Sequence, residues 1–168
     1  MMKSISAKQK PKKESTSQTP MDTALKFLAA RAHTVREVER HLDEHQFGEF
    51  EVQQVIDRLL ELSYLDDAAY AREFMRTRLA TKPISRNKLK EQLLQHEIPM
   101  DTISEALGAI DDAQEYENAL LVATKHARQL SRYEPKERYE RLMQRMIGRG
   151  FTYEDSRRAI EQAMQEPL

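Results

Sequence analysis

Apolar residues along this chain fall in pairs four apart, and the pairs recur. Val38 with Leu42, Leu89 with Leu93 and Leu142 with Met146 each share one helix face, because at 3.6 residues per turn positions four apart are stacked neighbours. A second set follows each pair: Val55, Leu59 and Leu62, then Ile103, Leu107 and Ile110, then Ser156, Ile160 and Ala163, the last weakly apolar. An apolar turn residue stands before each set, namely Phe50, Ile98 and Phe151. From Asp22 onward the pattern predicts three segments, each reading helix, turn, helix, turn, helix. Asp22, Asp67 and Asp112 recur at equal intervals, the mark of stacked units each too small to bury its own apolar face. The Asp register would pair Leu62 with Leu107, three residues away from the apolar register, so loop lengths differ between units.

Helix-start signals agree with these boundaries. Thr34 with Glu37 reads as a capping box, in which the hydroxyl accepts from the backbone and the carboxylate reaches back. Thr152 with Asp155 is a shorter version. Asp66 or Asp67, and Asp111 or Asp112, suit N-caps, where a carboxylate satisfies free amides and faces the positive helix end. Pro83 breaks the helix that holds Arg78, Pro135 marks an interruption after Tyr133, and Gly150 supplies backbone freedom at a helix C-terminus. The predicted fold is all-α: a disordered basic tail over residues 1–20, then three-helix repeats over 21–66, 67–112 and 113–168.

Composition supports several small cores over one large core. Of 168 residues 39% are hydrophobic and 33% charged, with four glycines and no tryptophan, a helix-forming balance without a convincing strand. Residues 1–20 are Lys-, Ser-, Thr-, Gln- and Pro-rich with almost no apolar content, too little to offset the entropy of ordering. The chain has no cysteine, which removes disulfide frameworks, thiolate metal sites and cysteine nucleophiles and points to a reducing cytoplasm. No apolar run is long enough to span a bilayer and no signal peptide is visible; no membrane partner is expected.

Candidate chemistry is sparse. His41 and His45 share a helix face as zinc ligands can, but Leu42 stands where a metalloprotease helix needs Glu and no further ligands have matching spacing. The paired Asp residues sit at predicted helix starts, where capping explains them. Without a phosphate loop, nucleophile elbow or Ser/His/Asp pattern, neither catalysis nor a metal or cofactor is expected. Met143 and Met146 fall on the Leu142 face and read as core filling.

Net charge is −1, but its distribution is uneven. Arg72, Arg76, Arg78, Lys82, Arg86, Lys88 and Lys90 face only Glu73 within their stretch, whereas residues 91–112 contain acids and no Lys or Arg. Arg138, Arg141, Arg145 and Arg149 recur at three- and four-residue steps, lining one side of a helix beside Tyr139, Leu142 and Met146. Such stripes bind phosphates or carboxylates. The candidate binding residues are Arg31, Arg72, Arg76, Arg78, Arg86 and Lys88, with Arg138, Arg141, Arg145 and Arg149. Aromatic residues are few and not interleaved with them, which argues against a base-stacking platform.

The run Tyr64-Leu65-Asp66-Asp67 followed by Tyr70-Ala71 resembles the RecX family. So do Leu28, Arg31, Thr34, Glu37-Val38 and Leu42 in the first unit, Leu89, Leu93 and Ile98 in the second, and Arg149-Gly150-Phe151 in the third. The resemblance covers about residues 22–166. That family usually has glycine where this chain has Ser63, glycine in the loop occupied by Lys82-Pro83, and Lys-Gly where His96-Glu97 precede Ile98. The resemblance implies an elongated, curved array of three-helix units lying in the groove of a RecA filament on DNA. There it would bridge protomers and limit filament growth, lowering ATP hydrolysis, strand exchange and stimulated repressor cleavage, with consequences for recombination, DNA repair and the SOS response. The implied partners are RecA and the RecA–DNA filament, with weak direct DNA binding besides, and the chain is expected to be a monomer. Two other readings remain open on the residues alone. One is an autonomous DNA-binding protein, weakened by third helices that begin acidic or neutral around Glu51, Asp101 and Glu154. The other is an adaptor unrelated to recombination.

Overall fold

The computed structural model describes residues 18–165, and among these the chain forms nine α-helices and no strand. They are α1 Pro20–Ala30, α2 Val35–Glu44, α3 Glu49–Glu61, α4 Asp67–Thr81, α5 Arg86–Gln95, α6 Met100–Leu107, α7 Asp112–Gln129, α8 Pro135–Gly148 and α9 Tyr153–Gln165. The tail expected over residues 1–20 lies outside the described residues as far as residue 17. Thr19 and Pro20 are the N-cap and first residue of α1, where Thr19 and Asp22 form a capping box that the sequence pattern did not single out.

Each set of three helices closes its own core. Ala24, Val38, Leu42, Val52, Val55, Ile56, Leu59 and Leu65 form the first; Ala71, Met75, Ile84, Leu89, Leu93, Ile98, Ile103, Ala106 and Ile110 the second. The third is built on Ala119, Val122, Ala123, Leu142, Met146, Phe151, Ala159, Ile160 and Ala163. The second helix anchors every unit: Val38, Leu42, Leu89, Leu93 and Leu142 are fully buried, and Met146 is 1% exposed. At about 1.5–3 kcal/mol for a fully buried aliphatic side chain, these pairs dominate each small core.

Two apolar expectations are corrected. Phe50 is 74% exposed within the first turn of α3, and Phe47 occupies the place assigned to it, half-buried against the first core. Leu62 is 48% exposed at the C-cap of α3, because Val52 and Ile56 already fill the face that Val55 and Leu59 share.

The second helices end alike in all three units. Gln46, Glu97 and Gly150 have φ of 62°, 57° and 86°, and each is followed by an apolar residue that turns inward: Phe47, Ile98 and Phe151. The amides of those residues donate to the carbonyls of Leu42, Leu93 and Met146 at 3.5, 3.5 and 3.3 Å. This is the Schellman arrangement, in which one left-handed residue lets the chain satisfy the last free carbonyls.

Candidate partner-binding surface

The Tyr64–Ala71 motif is a joint between units. Leu65 is buried in the first core and Ala71 in the second, so the few residues between them hold two modules at a fixed separation. Asp66 caps its own helix, accepting from the Ala69 amide at 2.8 Å. Asp67 reaches outward and accepts from the Val35 amide at 2.9 Å, satisfying a free donor in the first turn of the preceding unit's second helix. Burial is the main influence raising the Asp67 pKa above the ordinary carboxylate value; the Val35 amide opposes it, while Asp66, Glu37 and Glu39 add to it. Tyr70 is half-buried with its hydroxyl 3.2 Å from His96 Nδ1, and Tyr64 is exposed.

The next joint repeats this design with different letters. Asp111 caps α7 through the Gln114 amide, and Glu115 accepts from the Arg86 amide through both carboxylate oxygens at 3.1 Å. Thr34 Oγ1 donates to the His96 carbonyl at 2.9 Å across the first joint, and the Ser85 amide donates to the Arg149 carbonyl at 3.1 Å across the second. In both, the start of one unit's second helix meets the end of the next unit's second helix.

Glu37 departs from its expected role. Thr34 does accept from the Glu37 amide, but the Glu37 carboxylate does not reach back to close a capping box. It is 8% exposed and bridges His33 Nδ1 at 2.8 Å and His96 Nδ1 at 2.9 Å, with Arg31 Nη1 at 3.7 Å. Burial is the largest influence and opposes its ionisation, but the hydrogen bonds to His96 and His33 and the Arg31 charge together hold its pKa below the ordinary value. A buried carboxylate with these partners stays charged and ties the second unit to the first.

The basic residues divide by position. Arg72 and Arg76 are exposed on α4, and Arg76 pairs with Glu73 of its own helix. Arg78 is half-buried over the Phe74 ring at 5.9 Å and donates to Gln92 at 2.8 Å. Arg31, exposed, and Arg78 line a groove of about 400 Å³ together with Tyr70, Phe74 and Thr77, on a side of α4 away from Arg72 and Arg76. Lys88 pairs with Glu91. Arg86 is held at the second joint by the Ile110 carbonyl at 3.0 Å and by Asp112 at 2.5 Å.

The α8 stripe is likewise split. Arg141 pairs with Glu137 and lies 4.3 Å from the Tyr133 ring centroid. Arg138 is half-buried with its Nε unpartnered among the described residues. Arg145 and Arg149 turn toward His126, and Arg149 Nη1 donates to the Pro83 carbonyl at 2.9 Å, tying α8 to the second unit. Lys82, Lys125 and His126 join Arg149 in a cleft of about 360 Å³. Stripe periodicity places none of Lys82, Lys125 or His126 there, because it treats one helix at a time and this cleft draws on three segments.

His41 and His45 lie in a stack of rings: Phe27 is 3.7 Å from His33 and 3.9 Å from His41 between centroids, and His41 is 4.5 Å from His45. Among the described residues no group of three or more His, Cys, Asp or Glu is placed to hold a metal ion, and no helix is long and apolar enough to cross a membrane.

Comparison with known proteins matches the units one by one. Residues 21–59 match the family model described as RecX, first three-helix domain; residues 66–107 match the second and residues 112–160 the third. A protein of Chlorobaculum tepidum named Regulatory protein RecX is 30% identical over 153 residues, covering 91% of this chain and 93% of its own length. One of the same name from Prosthecochloris aestuarii is 28% identical over 151 residues, covering 90% and 97%. A crystal structure of RecX from Lactobacillus salivarius superposes with a TM-score of 0.76 at 24% identity, covering 86% of this chain and 94% of that one. With all three domain models matched in order along its helical body, the chain belongs to the RecX family of regulatory proteins.

Proposed function

We propose that this protein binds RecA and the filament RecA forms on DNA. It lies in the filament groove, bridges neighbouring protomers and limits filament growth, and so lowers ATP hydrolysis, strand exchange and coprotease activity. The observation that carries the reading is the ordered match of all three RecX domains over the helical body. Joints made of capped helix ends and a buried His–Glu–His bridge support it, because a scaffold that spans several protomers must hold its units in register. On this reading α4 contacts the filament, with Arg72 and Arg76 on one side and Arg78 beside the Arg31 groove on another, while Lys88 on the same unit and Arg138 and Arg141 on the third add charge. Arg86, Arg145 and Arg149 contribute to the same cationic field from the second joint. The decisive assay adds the protein to filaments preformed on single-stranded DNA and follows ATP hydrolysis. Inhibition is expected below one molecule per protomer; an unchanged rate at molar excess over available sites defeats the proposal.

A further inference from the structure

The two joints use the same parts of each unit, and the two ends of the array carry those parts unfilled. In the first joint the face that receives the preceding unit holds Tyr70, Phe74 and Arg78, at the fourth, eighth and twelfth positions of α4, with His96 at the C-cap of α5. The second joint again uses a fourth position, Glu115 of α7, and a C-cap, Arg149 of α8. Counting from Pro20, the counterparts in the first unit are Thr23, Phe27 and Arg31, with His45 at the C-cap of α2. All four line one cleft of about 420 Å³, and among the described residues no unit stands before the first to fill it.

The opposite end of the array offers the matching piece. In the first joint the inserted part is the start of α2: Glu37, its third residue, meets His96 at 2.9 Å, and Arg40, its sixth, meets Glu97 at 2.6 Å. In the third unit the second helix is α8, which has Glu137 and Glu140 at those positions, both exposed. On the free cleft the residues that correspond to His96 and Glu97 are His45 and Gln46, an imidazole and an amide that can each donate to a carboxylate. A further tie of the first joint runs from the Val35 amide, at the first position of α2, to Asp67, at the first position of α4. Both members change at the free ends, to Pro135, which has no amide proton, and Pro20, which has no carboxylate. Neither change leaves a donor or an acceptor without its partner. Only the bond from the Thr34 hydroxyl to the His96 carbonyl has no equivalent, because Glu134 is the N-cap of α8.

We propose that this cleft is a docking site for a second copy of the chain: the start of α8 of one copy seats on the first unit of the next, as α2 seats on the second unit within a chain. Charge favours the pairing. Lys26, Arg31 and His45 line the cleft and no carboxylate does, whereas the incoming end carries Glu134, Glu137 and Glu140, of which only Glu137 has a cationic partner among the described residues, Arg141 of its own helix. Gln18 stands at the cleft's edge, but the residues before it in sequence carry five lysines against one glutamate, the wrong sign to fill it. The contact joins unlike faces, so it does not close on itself and lays copies end to end. It goes beyond the filament reading and involves no recombinase, so either can fail alone.

The chain has no cysteine, so introduced thiols report on one contact at a time. Full-length Glu140→Cys protein is mixed with full-length Gln46→Cys protein and treated with a short bismaleimide. The mixture is expected to give a cross-linked dimer, and Lys90→Cys, an exposed position on α5, in place of Gln46→Cys should give about tenfold less. Adding Glu137→Lys to the first protein, or His45→Glu to the second, sets like charges against each other and should cut the yield about tenfold. Carrying both changes, one on each protein, restores opposite charges and should recover the yield, with circular dichroism showing every variant fully helical. No dimer in the mixture, as much dimer from either protein alone, as much with Lys90→Cys, a yield that ignores the single charge changes, or no recovery when they are combined would each overturn the assignment.

Discussion

At the scale of single residues, the informative positions are those with left-handed backbone. Gln46, Ser63, Glu97 and Gly150 all have positive φ, and only the last is glycine. A side chain in this conformation costs on the order of 1 kcal/mol. Gln46→Gly and Ser63→Gly are therefore expected to raise stability by about 0.5–1 kcal/mol each in urea unfolding. Glu97→Gly gains less, because it also deletes the exposed pair with Arg40. Gly150 is the opposite case: an added Cβ would lie 2.4 Å from Ser85 Oγ and 3.0 Å from Lys88 Cβ. Gly150→Ala should cost about 1–3 kcal/mol by forcing the second joint apart, and no gain in urea midpoint can come from it if the joint is packed as described. These positions explain what was legible. Gly150 announces its turn, so Phe151 was placed correctly. Gln46 makes the same turn without the signal, and the expected apolar turn residue falls on Phe50, past the true inward residue, Phe47.

At the scale of helices, the local periodicity predicted which residues of each second helix are buried, while the partners of the helix ends came from elsewhere in the chain. Thr34 and Glu37 have the spacing of a capping box, yet Glu37 turns to His33 and to His96 of the next unit. No pattern within one helix reveals that. The joint has a pH signature with two opposing signs. Glu37 has a lowered pKa in the folded state, so its stabilisation is present above the ordinary Glu value and is lost as pH falls through the folded value. Asp67 and Glu115 have raised values, so each favours the folded state below its ordinary pKa and loses that contribution as pH rises through the folded one. Glu37→Gln is expected to lower stability at neutral pH by about 1.5–3 kcal/mol, the range for hydrogen bonds to a charged group, and to flatten the acid side of the stability–pH curve. An acid limb as steep as wild type would show that Glu37 does not carry it. Because burial disfavours the charged form of Asp67, a neutral acceptor should serve nearly as well. Asp67→Asn is expected within about 0.5 kcal/mol of wild type, and Asp67→Ala, which orphans the Val35 amide, should lose about 1 kcal/mol.

At the scale of the whole molecule, cations that look equivalent in sequence have different work. The α8 stripe has the predicted spacing, but Arg149 is spent on the Pro83 carbonyl and His126 while Arg141 stays at the surface. Charge periodicity locates a helix side and leaves unsaid whether that side faces a joint or the solvent. Arg72 and Arg76 are the clearest surface cations, exposed on α4 and outside both joints. Among the described residues Arg76 is held only by Glu73 of the same helix, an exposed pair that water and salt screen and that adds little to stability. Reversing both to Glu should therefore leave the circular dichroism and urea midpoint almost unchanged while weakening inhibition of filament ATP hydrolysis. A joint variant such as Gly150→Ala should do the reverse at moderate temperature, losing stability first and inhibition only as the units come out of register. If the Arg72→Glu, Arg76→Glu protein inhibits as well as wild type, the side of α4 that carries these two residues is not the one that meets the filament.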